Sequence, residues 1–177
     1  MEIYLIRHTT PLLSPGLIYG KMEVELTDTF EEELAIVRQK LPKFFDAVYS
    51  SPSLRCTQLA KRIEKDFISD FRLMELNFGD WEGKTWDTVD QTSLQLWMDD
   101  YVNVCVPGGE SMLEMQSRIN DFWKELTQQP YSRIAIVTHG GVIRILLSKV
   151  RSIALDKIFE IKVAYGEVFL ININRIV

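Results

Sequence analysis

Apolar positions along this chain recur in two patterns, one continuous and one helical. Glu2 to Arg7 (EIYLIR), Ala47 to Ser51 (AVYSS), Arg133 to Thr138 (RIAIVT) and Val168 to Ile173 (VFLINI) are short apolar runs, which predict buried strands. Ile68 to Leu73 predicts a further strand. Phe30, Leu34, Val37 and Leu41 recur at helical spacing up to Pro42, and Cys56, Leu59, Ala60 and Ile63 do so after Pro52. Trp86 to Met98 and Val142 to Val150 predict two more helices. Ser111 and Glu114 form an S-x-x-E capping box. The helix it opens carries Met112, Met115, Ile119, Phe122 and Leu126 on one face. Residues 8–29, rich in Pro, Gly and Thr, read as one long loop, and a loop of that length in a compact domain usually carries function. Strands that alternate with helices predict an α/β layered sheet.

Composition narrows the picture. At 177 residues the expectation is one domain over residues 1–177, large enough to bury a core without disulfides or metals. The net charge of −5, with no basic run, argues against nucleic acid or an anionic membrane as partner. The start MEIYLIRH has no basic segment followed by a long apolar one, so no signal peptide is expected. The apolar run at Val142 to Leu147 is broken by Arg144, and no run is long enough to span a bilayer. Cys56 and Cys105 lie far apart, and Cys56 falls on an apolar helical face as core filler. A cytoplasmic protein, monomer or homodimer, is expected.

The chemistry concentrates at the ends of strands. The chain has two histidines, and each directly follows an apolar run, His8 after YLIR and His139 after IAIVT. In a parallel α/β sheet, ligands bind beyond the carboxyl ends of the strands, which is where both imidazoles fall. Arg7 closes the first strand, where an arginine is costly unless it meets an anion. Arg55 stands near the start of a helix, and its planar guanidinium suits two phosphate oxygens at once. Taken alone, Arg55 reads better as a solvated helix arginine. Glu75 lies among Leu73, Met74, Leu76 and Phe78, where partial desolvation favours the protonated carboxyl that a general acid needs. Read alone, it is equally a surface glutamate in a loop.

Five motifs then occur in a familiar order. R-H-T at 7–9, S-P-S-L-R-C-T at 51–57, L-x-E-x-x-F-G-x-W-E-G at 73–83, P-G-G-E-S at 107–111 and T-H-G-G at 138–141 resemble the histidine phosphatase superfamily, which includes the phosphoglycerate mutase-like enzymes. Pro15-Gly16-x-x-Tyr19-Gly20 is similar to the α-ribazole phosphatase subgroup. The chain departs from the wider pattern at Thr9, Thr10, Ser14 and Phe30.

The resemblance implies a three-layer α/β/α fold with a mainly parallel central sheet, and a small phosphomonoester as substrate. It implies that His8 is the nucleophile, that His139 donates to the phosphoryl group, and that Glu75 is the acid and base. It implies phosphate contacts from Arg7, Arg55 and Gly140, and no metal or cofactor. Tyr19, Trp81 and Glu82 are candidate substrate contacts, with Trp86 and Trp97 as further stacking faces. Two alternatives stay open: a broad-specificity or sugar-phosphate phosphatase or mutase of the same superfamily, and a non-catalytic phosphate-binding module. The chain is short for the insertion carried by the mutases.

Overall fold

The computed structural model describes residues 1–173. Five strands, β1 (Glu2–Arg7), β2 (Ala47–Ser50), β3 (Ile68–Ser69), β4 (Arg133–Thr138) and β5 (Val168–Asn172), form one sheet in the order β3-β2-β4-β1-β5. The contacts β3·β2, β2·β4 and β4·β1 are parallel, and β5 closes the edge antiparallel to β1. The helices are α1 (Phe30–Gln39), α2 (Leu54–Ile63), α3 (Gln91–Asp99), α4 (Met112–Thr127) and α5 (Gly140–Arg151).

The strand alternation assigns the layers. Ile3 and Leu5 of β1 and Ile134 and Ile136 of β4 join a core with α4 and α5. Ile6, Ala135 and Val137 face the opposite way, onto Leu34 and Val37 of α1 and Cys56, Leu59 and Ala60 of α2. The result is the expected three-layer α/β/α fold with both sheet faces covered.

The predicted elements hold, with shifted ends. The strand expected over Ile68 to Leu73 is two residues long, because Asp70 accepts from the Arg72 amide and turns the chain into a short 3₁₀ segment, Phe71–Leu73. The helix expected from Trp86 starts at Gln91 instead. Asp90 caps it, accepting from the Ser93 amide, while Thr85 and Thr88 bond to each other in the turn before it. The helix α5 begins at Gly140, two residues ahead of expectation. The capping box at Ser111 and Glu114 forms with both its reciprocal bonds. A six-residue 3₁₀ segment, Leu155–Glu160, is additional. Among the described residues no helix is long and apolar enough to cross a membrane.

Residues 8–29 form the long loop, crossed by isolated bridges Pro11–Leu26 and Leu17–Thr85. A loop lacking a ladder must place its backbone groups elsewhere. Arg55 donates to the carbonyls of Gly20 and Met22. Glu82 accepts from the amides of Lys21 and Met22 and, back in its own segment, from that of Phe78.

Candidate active site

The strands β1 and β4 are adjacent and parallel, so His8 and His139 leave the sheet side by side. The His8 amide donates to the Thr138 carbonyl at 3.0 Å, and the two imidazole centroids lie 5.3 Å apart. Both rings are buried. Nδ1 of His8 is 2.7 Å from the Thr9 carbonyl oxygen. A carbonyl only accepts, so Nδ1 carries the proton and Nε2 keeps a free lone pair. Burial first, then the charges of Arg55 and, less, Arg7, hold the His8 pKa down to about 3, against the bond to Thr9, which raises it. His139 is also held well below its ordinary value, first by burial and then by His8, Arg55 and Arg7. Its Nε2 lies 2.8 Å from the Ser51 hydroxyl and 3.5 Å from Cys56 Sγ.

Arg55 is no solvated helix arginine. It is 0% exposed; its guanidinium donates to the carbonyls of Gly20 at 2.6 Å and Met22 at 2.9 Å and lies 5.3 Å from the ring of Tyr19. Its Nε is buried with no partner, and so are Arg7 Nε and Thr9 Oγ1. A buried cation with unpaired donors is costly, and an anion is the partner these atoms lack. Arg7 is held by the Val163 carbonyl at 2.6 Å and by the ring of Tyr165, 3.8 Å from its Cζ.

Glu75 comes in from the segment after β3. Its carboxylate accepts from its neighbour Leu76 and, at 3.1 Å, from the Gly141 amide at the start of α5. The P-G-G-E-S motif buttresses that segment: Glu110 accepts from the Asn77 amide and pairs with Arg118, which in turn donates to the Glu75 carbonyl. Gly79 permits this docking, with φ +47° and a hypothetical Cβ only 2.3 Å from the Pro107 carbonyl. Gly140 and Gly141 leave room in the same sense. A Cβ on Gly141 would stand 2.3 Å from Glu75 Oε1, and one on Gly140 3.4 Å from Arg7 Cζ.

Beside this cluster opens a cavity of about 220 Å³. Arg7, Glu75 and Gly141 line it on one side; Tyr19, Phe78, Trp86, Phe159 and Tyr165 supply much of the rest. The structure therefore brings His8, His139, Arg7, Arg55, Glu75 and Gly140 together, with Tyr19 at the cavity. It does not bring Trp81 or Glu82 there. Trp81 is 2% exposed and packs edge-on against Trp86 and Trp97 in the core. Glu82 spends its carboxylate on loop amides. Trp97 is likewise core, whereas Trp86 is accessible and lines the cavity. Tyr165, Arg144 and Ser51 were not foreseen. Tyr165 closes over Arg7 and bonds the Tyr19 hydroxyl at 2.7 Å. No local signal marks Tyr165, but the charge of Arg144 inside an apolar helical run was visible. Among the described residues no group of acids, histidines and cysteines is arranged to hold a metal.

A relative from Hydrogenobacter thermophilus that carries a phosphoserine phosphatase name is 28% identical over 169 residues, covering 90% of this chain and 83% of the relative. The adenosylcobalamin/alpha-ribazole phosphatase of Escherichia coli (strain K12) is 26% identical over 99% of this chain and 91% of its own length. The crystal structure of the alpha-ribazole phosphatase from Shigella flexneri superposes with a TM-score of 0.90 at 25% identity, covering 99% of this chain and 92% of that one. The family model of the histidine phosphatase superfamily, branch 1, matches residues 3–175, and the chain belongs to that family.

Proposed function

We propose that this chain hydrolyses a phosphomonoester through a phosphohistidine on His8, and that the ester is α-ribazole 5′-phosphate, released as α-ribazole. The observation that carries the reading is the pairing of a buried, anion-deficient cluster with a cavity that five aromatic rings help to wall. The first suits a phosphoryl group, and the second suits a flat apolar group attached to the sugar.

In the first step Nε2 of His8 attacks phosphorus and the bond to the ester oxygen breaks. Glu75 protonates the departing alkoxide. In the second step water attacks phosphorus, Glu75 takes its proton, the P–N bond breaks and inorganic phosphate leaves. Arg7, Arg55 and a hydrogen bond from His139 stabilise the charge on the equatorial oxygens, with the start of α5 at Gly140 adding its dipole.

Turnover of α-ribazole 5′-phosphate, ribose 5-phosphate, phosphoserine and 3-phosphoglycerate at equal concentration tests the substrate. The highest kcat/KM is expected on α-ribazole 5′-phosphate, and a clear preference for phosphoserine would refute that choice while leaving the phosphatase chemistry intact. Trp86→Ala should raise KM for α-ribazole 5′-phosphate roughly fivefold, the loss of about 1 kcal/mol of stacking, and leave ribose 5-phosphate little changed. Equal effects on both would remove Trp86 from the binding wall.

Arg55→Lys should lose on the order of tenfold or more in kcat/KM. Lysine keeps the charge, but its compact ammonium lacks the planar fork whose two Nη atoms reach both loop carbonyls while Nε stays free. Activity near that of the unaltered enzyme would mean that the guanidinium fork does not matter.

A further inference from the structure

We infer that Arg144 reads the substrate's leaving group: beside Arg7, it forms a two-guanidinium subsite for an oxygen acceptor carried on the alcohol. The inference rests on the phosphatase reading above and names what the site recognises beyond the phosphoryl group.

Arg144 stands one turn beyond Gly140 on α5 and lines the cavity. Its Nε donates to the Ile161 carbonyl at 3.0 Å, while Arg7 Nη1 donates to the carbonyl of Val163, two residues on. One stretch of chain thus holds both guanidinium groups, and it holds them close. The position of a Cβ on Gly140 lies 3.0 Å from Arg144 Nη1 and 3.4 Å from Arg7 Cζ. Among the described residues neither arginine makes an ion pair, and the two Nη groups of Arg144 make no hydrogen bond. Glu75 faces Arg144 and offsets the repulsion from Arg7, but it makes no ion pair with either guanidinium, so the donors of Arg144 are left for an acceptor on a ligand.

The place of Arg144 says where that acceptor sits. Arg55 is fully buried and does not line the cavity, whereas Arg7 lines it together with Arg144. Arg144 lies on the cavity side, its guanidinium 5.7 Å from the ring of Phe159. An oxygen reached from there belongs to the alcohol. A guanidinium offers donors only, so the partner is an acceptor: a carboxylate on a hydroxy-acid ester, or the hydroxyl oxygens of a sugar.

The test compares Arg144→Met with the unaltered enzyme on three alkyl esters: butyl phosphate, which has no acceptor; ribose 5-phosphate, which offers hydroxyls; and phosphoserine, which offers a carboxylate. The ratio of kcat/KM, variant to unaltered, should fall at least tenfold further on one acceptor-bearing ester than on butyl phosphate. The ester that suffers names the acceptor. Arg144→Lys, which keeps a cation on the helix, should give the same ordering at smaller amplitude, so a folding defect in the methionine variant does not decide the matter. Equal losses on all three esters in both variants, or no loss on any, overturn the inference. An unaltered enzyme inactive on every ester overturns the phosphatase reading itself, which is a different result.

Discussion

His8→Ala should abolish turnover, with a loss on the order of 10⁴-fold or more, as expected when the nucleophile of a covalent mechanism is removed. The cations stay in place in this variant, so inorganic phosphate should still bind, measurable by calorimetry. In the unaltered enzyme, rapid quenching with labelled substrate should trap label that survives alkali and is lost in acid, as a phosphoramidate is. Label that resists acid and maps to a serine would sink the assignment. The pH dependence of the burst follows from the buried ring. His8 has its pKa at about 3, so Nε2 stays unprotonated across the neutral range and down toward that value. Loss of activity on the acid side near pH 6 that traces to His8, by the chemical shift of its ring, would contradict that environment.

What could be read from the chain beforehand divides along a physical line. The strands β1 and β4 were legible to the residue because strands covered on both faces write themselves as near-continuous apolar runs. The placement of His8 and His139 followed, since each is one residue past such a run. Arg55 was ambiguous because its burial depends on carbonyls more than 30 residues away at Gly20 and Met22, and nothing near position 55 records them. The same non-locality misplaced Glu82 and Trp81. A glutamate beside a tryptophan in a glycine-rich segment looks like a binding edge, but two of its three amide partners, Lys21 and Met22, are set by how the 8–29 loop folds over it. Trp86 shows the converse. It was counted as the start of a helix face, yet it sits in a turn, stacked on Trp97 at 6.0 Å, with one side left for a ligand. Cys56, read as core filler, is fully buried, and burial pushes its thiol pKa up, which leaves it a poor nucleophile despite its place beside His139.

Glu75→Gln should separate poor leaving groups from good ones. A sugar alkoxide is a strong base and leaves badly unless it is protonated as the bond breaks, whereas a nitrophenolate leaves unaided. Glutamine keeps the acceptor that meets the Gly141 amide at 3.1 Å and so preserves the local geometry, but it has no acidic proton to give. The first step on an alkyl ester should slow by roughly 10²-fold or more, and the first step on nitrophenyl phosphate much less. Steady-state rates would blur this contrast, because in the proposed mechanism Glu75 also activates water in the second step. The pre-steady-state burst isolates the first. Glu82→Gln is the control from the same segment. Its carboxylate is committed to the amides of Lys21, Met22 and Phe78, so its loss should loosen the loop and impair both esters alike. Equal damage to both bursts in Glu75→Gln would reduce Glu75 to a residue that positions α5. A selective loss on the alkyl ester in Glu82→Gln would move the proton donor there, and the loop would have to open to let that carboxylate reach the ester oxygen.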